Sequence, residues 1–450
     1  MGTYGFFDVT SFALGAYGFY NQAGGNPRFP FTFPYYAFYA QDKFQLRHNL
    51  TLDYGVREDF QVYPQPKENP AFPATGEFPN RYQRVSPRIG FAYQPMDKTV
   101  VRGGFGMFYE VFNGINYENS VIANGLVSQQ GTTSASFNSA LPANQQAPSF
   151  PNTLGNGALF SASSDISLVS PGFKTPYIMS SNFEIQRELA SNTTLTLGTL
   201  WTHGVHLIAS NAYDLNLIPP SGTTTYVVCP SGTTSVVSGC SGPMFTHPNL
   251  DSGLLSSSEG LITSSFGQIN ALISPGVNQY NSFYAHLQRR GSRGLSLMTS
   301  YTFSKGMQTG VDFYNQFDLK DTHGPTLLDQ RHRLSIAAVY SPGARNFTSQ
   351  AARRLLSNWT ISTLMQFNSG RPYTGLLNAA CTGVDVSTCS SGNTLNDSSV
   401  NQSTINTATG IAGTNGPSPT LNLNSFYDRW INEVDLGIAR TLPIGETAIP

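Results

Sequence analysis

The stretch that decides the fold is residues 280–305, which read YNSFYAHLQRRGSRGLSLMTSYTFSK. Two runs of alternating apolar and polar side chains lie on either side of a basic, glycine-containing turn at residues 289–294. Successive side chains of a β-strand point to opposite sides, so the second run has one apolar face and one face of small polar residues. The apolar face carries Leu295, Leu297, Thr299, Tyr301 and Phe303, and the other carries Ser296, Met298, Ser300, Thr302 and Ser304. The pattern therefore predicts a long β-hairpin.

The length of the second run indicates which kind of strand it is. The run continues for about ten residues and ends in aromatic side chains, as expected of a strand that crosses a bilayer at a tilt. Strands of soluble β-sandwiches usually have about five or six residues. A membrane-spanning strand is therefore the better interpretation of this run.

The composition of the chain supports that interpretation. Only 11% of the 450 residues are charged, whereas soluble domains have about 25%. The hydrophobic share is nevertheless only 39%, and no run of about 18 apolar residues occurs, so a bundle of membrane-spanning helices is not expected. Small polar residues, 22 Tyr and 30 Phe take the place of the missing charge, as in a wall that is apolar outside and polar inside. The net charge of −1 gives no reason to expect a nucleic-acid partner.

The same alternation recurs from residue 35 to residue 440. Besides the two strands of residues 280–305, it predicts strands at residues 35–45, 50–60, 85–94, 99–110, 177–187, 193–203, 331–340, 358–368 and 430–440. Short turns and long loops alternate between these strands, and the long loops occupy residues 61–84, 111–175, 204–278, 306–330 and 369–429. This asymmetry is typical of a bacterial outer-membrane barrel whose long loops lie outside the cell.

The predicted fold class is therefore all-β, an antiparallel transmembrane β-barrel with about eleven long strands, short inner turns and long outer loops. A soluble β-sandwich or propeller is the alternative, but it would need shorter strands and no such asymmetry.

The two ends of the chain do not fit a complete barrel. Residues 1–34 are rich in glycine and aromatics without clean alternation, so we expect an irregular segment there and a partial barrel over residues 35–450. No basic residue precedes Arg28, so no signal peptide is predicted, although an outer-membrane protein needs one. An odd number of strands leaves two open edges. We therefore expect the signal peptide and further C-terminal strands to be missing from this chain.

Four cysteines lie in two Ser/Thr/Gly-rich stretches, Cys229 with Cys240 and Cys381 with Cys389. Neither pair has the C-x-x-C spacing of zinc and redox sites. In an oxidising compartment we expect two local disulfides in exposed loops, and unpaired loop cysteines are the alternative.

Nine stretches of the chain together carry a family resemblance. They are FYAQDKFQLRHNLTLDYGVR (38–57), SPRIGFAYQP (86–95), TVVRGGFGMFYE (99–110), PYIMSSNFEIQREL (176–189), TLTLGTLWTHGVHL (194–207), the hairpin 280–305, DQRHRLSIAAVY (329–340), NWTISTLMQFNSGRPYT (358–374) and RTLPIGE (440–446). In this order they resemble the barrel of TonB-dependent receptors of the Oar-like group, and they cover nearly every predicted strand.

The resemblance also implies what this chain lacks. Large transporters of this kind close with about 22 strands around a plugged lumen. The family's N-terminal regulatory-like β-domain, its plug, its TonB box and its last strands have no counterpart in the sequence. The chain therefore resembles about half of such a wall.

Polar residues on the predicted strands are the candidates for function. No HExxH, GxSxG, P-loop, GxGxxG or CxxC motif occurs, so no catalytic, cofactor-binding or metal site is predicted. Residues on the polar faces would point into the lumen, where they pair with a plug or line a path for a solute. The cluster at residues 329–333 opens a strand at the outer rim and either holds the base of a loop or contacts a ligand or metal. The candidate lumen and rim residues are Arg57, Arg102, Glu184, Gln186, Arg331 and His332.

Pattern and resemblance together predict a fragment of a TonB-dependent outer-membrane receptor that binds a solute in its outer loops and imports it into the periplasm. Its expected partners are outer-membrane lipid, an unidentified solute, and TonB acting through the missing plug and TonB box. The alternatives are a surface structural or adhesion protein and a gene fragment without function of its own. An enzyme is not expected.

Overall fold

The structure of the protein is a computed structural model. It describes residues 2–17, 19–25, 30–79, 84–126, 128–134, 150–152, 165–209, 213–217, 223–229, 244–248, 262–263, 265–292, 294–312, 316–317, 319–342, 349, 358–374, 376–377, 404–407, 416–417 and 422–441.

Eleven long antiparallel strands form one sheet in which each strand pairs with the next in sequence. They are β1 (Tyr35–Arg47), β2 (Leu50–Gln61), β3 (Val85–Met96), β4 (Thr99–Tyr109), β5 (Tyr177–Ala190), β6 (Thr193–Leu207), β7 (Gly276–Ser292), β8 (Leu295–Thr309), β9 (His332–Tyr340), β10 (Trp359–Asn368) and β11 (Ile431–Arg440). The predicted all-β fold and its eleven long strands are confirmed. Several strands are longer than predicted, and β6, β7 and β8 continue past their predicted ends on the side of the long loops.

The hydrogen-bonded register aligns the two faces of each strand with those of its neighbours across the whole sheet. Partners such as Leu52 and Phe91, or Phe283 and Phe303, share one face, which we call the apolar face. Partners such as Arg102 and Glu184 share the other, which we call the polar face. Aromatic and aliphatic side chains remain exposed over the whole apolar face of the isolated sheet. A face of this extent marks a surface that meets an apolar neighbour.

One carboxylate interrupts the middle of the apolar face. Asp42 lies between Ala40 and Phe44 on β1, and it accepts a hydrogen bond of 3.1 Å from the Tyr54 hydroxyl on β2. The hydroxyl therefore gives this carboxylate a polar partner among apolar neighbours.

The short turns lie together at one end of the sheet, and hydrogen bonds link them. The carbonyl of Asn49 accepts from the Gln94 amide at 2.8 Å, that of Lys98 from Glu188 at 2.9 Å, and that of Asn192 from Arg290 at 2.9 Å. Lys98 and Asn192 have φ values of 62° and 69°, the left-handed region that such tight turns require. Each turn is thus anchored to the strand beside it.

The N-terminal segment contains more regular structure than its sequence predicts. Strands Gly2–Gly5 and Phe19–Gly25 flank the short helix α1 (Val9–Ala13), and strand Ser128–Ser134 completes a three-stranded sheet. The Asp8 carboxylate caps α1 by accepting from the Ser11 amide at 2.6 Å. Aromatic rings of this segment pack on one another. The alternation pattern of a single strand does not predict such contacts.

The long loops carry a packed core of their own at the other end of the sheet. Helix α2 (Gly114–Ile122) begins at Asn113, whose side chain accepts from the Ile115 amide. Strand Ile269–Leu272 pairs with strands Tyr213–Asp214 and Ile166–Val169. The buried residues of this outer-loop core are Tyr63, Phe78, Phe112, Tyr117, Val121, Val169 and Phe173 in one cluster and Ile166, Leu168, Phe266, Ile269 and Ala271 in a second.

The remaining elements are short. The strands are Thr223–Cys229, Met244–Pro248, Gly324–Pro325, Pro372–Tyr373, Leu376–Leu377, Thr404–Thr407, Gly416–Pro417 and Phe426–Tyr427, and the 3-10 helices are Pro73–Gly76 and Leu319–Thr322. Within the described ranges, no helix has both the length and the apolar character needed to cross a membrane.

Candidate functional site

Three of the predicted site residues meet in the middle of the polar face. Arg102 on β4 is the cross-strand partner of Glu184 on β5. Its Nη1 atom donates to Glu184 Oε1 at 3.0 Å and to Gln186 Oε1 at 2.8 Å. Both charged side chains are partly exposed, so the pair contributes only about 0.2–1 kcal/mol to stability. Its main effect is to fix the orientation of the polar side chains on these two strands.

Tyr284 on β7 reaches the same carboxylate across β6. Its hydroxyl donates to Glu184 Oε2 at 3.1 Å. Gly198, the partner of both Glu184 and Tyr284, lies beneath the tyrosine ring. A Cβ atom at Gly198 would come within 2.4 Å of the Tyr284 Cζ and hydroxyl oxygen, so a larger residue at this position would displace the tyrosine ring. Side chains of β4, β5 and β7 thus form one polar network.

Arg57 belongs to a second group, nearer the long loops. Its Nε and Nη2 atoms donate to Asp59 Oδ1 at 3.0 and 2.9 Å, and Asp59 also accepts from the Tyr35 hydroxyl at 2.5 Å. Asp59 is only 8% exposed. The carboxylate therefore depends on these donors for its solvation.

A buried cation lies beside this group. Arg84, just before β3, is 4% exposed. Its Nη1 atom donates to Gln61 Oε1 at 2.9 Å, and its Nε atom has no hydrogen-bond partner among the described residues. Burial lowers the pKa of Arg84, and the nearby Asp59 carboxylate opposes that shift. Two arginines, Arg57 and Arg84, therefore lie near one carboxylate, Asp59, at this end of the polar face.

A depression of about 420 Å³ opens on the polar face of β1, β2 and β3. Its lining consists of Tyr39, Ala40, Gln41, Asp53, Gly55, Val56, Arg57 and Arg88. Six of these eight residues belong to the polar face by register. The volume lies within the range of small-molecule sites, about 300–1,000 Å³.

Arg331 and His332 form a third group, at the rim between β8 and β9. His332 is the partner of Phe303 and so lies on the apolar face. Its Nδ1 atom is 2.9 Å from the Tyr301 hydroxyl, and its ring stacks on Trp430 with a centroid distance of 5.8 Å. Arg331 lies 3.8 Å from the buried Asp329, which accepts from the Gly306 amide at 2.7 Å. These contacts lie where the loop before β9 joins the sheet.

The predicted site residues thus form three separate groups. In the described part of the chain, no group of three or more His, Cys, Asp or Glu side chains is placed to hold a metal ion. The predicted disulfides lie outside the described residues: the strand that ends at Cys229 is described only as backbone, and Cys240, Cys381 and Cys389 are not described.

Sequence patterns missed several residues that complete these groups. Tyr284, Gly198, Asp59 and Arg84 carry no motif, and most of their partners come from other strands. The one available signal was Gly198, which interrupts an alternation of Leu and Thr in β6.

Several solved structures resemble this chain at low sequence identity. No curated protein sequence matches it. Similar solved structures include the outer membrane transporter YddB from Escherichia coli, 11% identical with a TM-score of 0.44, which covers 77% of this chain and 35% of that one. The FrpB iron transporter (F3-3 variant) from Neisseria meningitidis is 9% identical with a TM-score of 0.41 and coverage of 79% and 39%. The siderophore receptor PirA from Acinetobacter baumannii is 9% identical with a TM-score of 0.39 and coverage of 78% and 39%. The chain spans little more than a third of the length of these structures.

A family match covers almost the whole sequence. The profile described as outer membrane beta barrel domain matches residues 2–449. A protein of this kind lies in the outer membrane with its apolar face toward lipid, its polar face toward the lumen and its short turns toward the periplasm. The chain belongs to the outer membrane β-barrel domain family.

Proposed function

We propose that this chain is part of the wall of a TonB-dependent receptor of the Oar-like group, which binds a solute at its outer loops and imports it into the periplasm. The observation that carries the proposal is the ordered set of nine stretches that resemble this group. Eight of these stretches overlap long strands of a continuous sheet, and the ninth begins at Arg440, the last residue of β11, so the resemblance extends from β1 to β11.

The outer-loop core supports a binding role. Tyr63, Tyr117 and Phe112 are buried at the loop end of the sheet, so the loops form a packed structure there. Hydrogen bonds from the Tyr63 hydroxyl and Gln61 Nε2 to the Phe112 carbonyl, 2.7 and 3.0 Å, hold the loop after β4 against the end of β2. Loops that are pre-ordered in this way lose less conformational entropy when they bind a solute.

The polar network of β4, β5 and β7 supports the proposal that this wall faces another part of the protein. Arg102, Glu184 and Tyr284 present charges and hydrogen-bonding groups toward the lumen. In the receptor that we propose, these groups pair with a plug, and movement of the plug by TonB opens the path.

A comparison of solute uptake between strains of the source organism tests the proposal. The complete gene that contains this reading frame is deleted, and the solutes of the periplasm are compared by mass spectrometry with those of the parent strain and of a strain without TonB. We expect at least one solute of the growth medium to be depleted in both mutants, and the intact gene on a plasmid to restore it only where TonB is present.

The alternatives give different results. Depletion that is independent of TonB would indicate a passive pore, and loss of surface attachment without any depletion would indicate an adhesion protein. In-frame stop codons that separate this reading frame from sequence coding for a plug or for further strands would indicate a gene fragment without function. Each of these results contradicts energised import.

A further inference from the structure

The depression on β1, β2 and β3 has the shape and charge of a ligand site. Gly55 and Gln41 are cross-strand partners in its lining, and a Cβ atom at Gly55 would lie 2.7 Å from the Gln41 Cβ. Arg88 is the partner of Gly55 on the other side and lines the depression from β3. The depression therefore has an arginine at its β3 wall.

Arg88 is held in place without an acidic partner. Its Cζ atom lies 4.8 Å from the centroid of the Phe108 ring on β4, a cation–π contact that fixes the guanidinium. Among the described residues, no carboxylate lies within ion-pair distance of Arg88. Its charge-assisted donors are thus free for a ligand.

A second arginine of the lining, Arg57, also has a free donor. Arg57 binds Asp59 and Tyr35 through Nε and Nη2, and no hydrogen bond of its Nη1 atom to a described residue is found. The lining therefore contains two arginines and one carboxylate, Asp53, while Asp59 pairs with Arg57 from outside the lining. The buried Arg84 adds a further positive charge near the same end of the face. A planar guanidinium with free donors matches the oxygens of a carboxylate or phosphate.

We propose that this depression binds an oxyanion, the carboxylate or phosphate group of a small solute, with Arg88 as its principal ligand and Arg57 as the second. Gln41 and Tyr39 supply neutral donors from β1. The inference rests on the proposed function, because it names the chemical class of the solute that would pass along this wall.

Calorimetric titration of the purified 450-residue chain in detergent micelles tests the proposal, with inorganic phosphate and citrate as separate probes. We expect at least one of the two to bind and NaCl to weaken that binding by screening. Arg88→Gln should weaken the dissociation constant by about tenfold or more, equal to about 1.4 kcal/mol. Arg333→Gln is the matched control, because Arg333 is an exposed arginine on the polar face of β9.

A third variant gives the opposite sign. Asp53→Asn removes the carboxylate of the lining and should tighten binding of the same probe. The proposal is overturned if the wild-type chain binds neither probe, if Arg88→Gln leaves the affinity unchanged, or if Arg333→Gln weakens it equally. Circular dichroism of each variant checks that the strands are retained. Because titration needs no TonB, a negative result leaves the uptake experiment unaffected, and the two proposals fail separately.

Discussion

At the scale of single residues, the lumenal face is organised by close contact between a glycine and a tyrosine. Tyr284 passes over Gly198 to reach Glu184 on the far side of β6. Such a contact joins three strands through side chains, in addition to the backbone hydrogen bonds of the sheet. It also explains why an apolar–polar alternation is interrupted by glycine at this position.

Gly198→Ala should therefore destabilise the protein by about 1–3 kcal/mol, the usual cost of overpacking. The added methyl group displaces the Tyr284 ring and breaks its hydrogen bond with Glu184. Urea unfolding in lipid vesicles measures the effect. Gly90→Ala is the matched control, because a Cβ there meets only the Gly103 carbonyl oxygen at 3.6 Å. Equal destabilisation by both variants would show that the tyrosine contact is not the cause.

Buried Tyr63 makes the outer-loop core sensitive to alkaline pH. Burial raises the pKa of Tyr63 from 10.0 to about 12, against a lowering by the Arg84 charge and with a smaller contribution from Tyr117. A raised pKa means that the folded protein holds this proton more tightly than the unfolded chain. The stability from the protonated hydroxyl is complete below about pH 10 and is lost as the pH rises toward about 12.

Wild-type protein should therefore lose more stability between about pH 9 and about pH 11 than the variant Tyr63→Phe, which has no proton to release. At neutral pH the variant should be less stable by about 1 kcal/mol, because its bonds with Gln61 and the Phe112 carbonyl are lost. Urea midpoints at the two pH values measure both effects. Tyr340→Phe, at a 40% exposed tyrosine, is the control and should follow the wild type. An unchanged pH dependence in Tyr63→Phe would contradict this account.

Most contacts between individual side chains could not be predicted from the sequence. Arg102, Glu184 and Gln186 could be assigned to a polar face, because alternation gives the face of each residue in a strand. Their mutual hydrogen bonds depend on register between strands that are 80 or so residues apart in sequence, which no local pattern contains. His332 illustrates the same limit, since one step in register decides between the polar and the apolar face.

At the scale of elements, the strands were predictable and the loop structure was not. Strands such as β8 repeat their alternation over many residues, so their positions follow from local sequence. The outer-loop core draws Tyr63, Phe112, Phe173 and Phe266 from loops that are widely separated in the chain. Residues collected in this way show no periodicity, and the sequence accordingly predicted only long loops.

Phe112→Ala should loosen this core while the sheet remains intact. Removal of a buried phenylalanine costs about 3–5 kcal/mol, and this ring is 5% exposed. Limited digestion with chymotrypsin measures the effect, and we expect cleavage near α2 to be much faster in the variant. Val111→Ala is the control, because that neighbouring side chain is 52% exposed. Faster cleavage within the long strands as well would show that the loop core does not fold as a separate unit.

At the scale of the whole molecule, the account depends on two faces that persist across eleven strands. Register aligns apolar side chains from β1 to β11 on one side and polar side chains on the other. In the described residues, β1 and β11 each pair with a single neighbour and form the two edges of the sheet. Lipid on the apolar face explains why large hydrophobic side chains such as Phe38 and Leu436 are exposed in the isolated sheet.

The measurement that tests this claim most directly is a spin-label scan of β8 in lipid vesicles. Single cysteines are introduced in turn at each position of residues 296–301, in a chain whose four native cysteines are replaced by serine. We predict that labels at Leu297, Thr299 and Tyr301 collide with oxygen dissolved in the lipid, whereas labels at Ser296, Met298 and Ser300 collide with a water-soluble nickel complex. Accessibility without this period of two, or with the two sets reversed, would contradict a sheet whose apolar face meets the membrane.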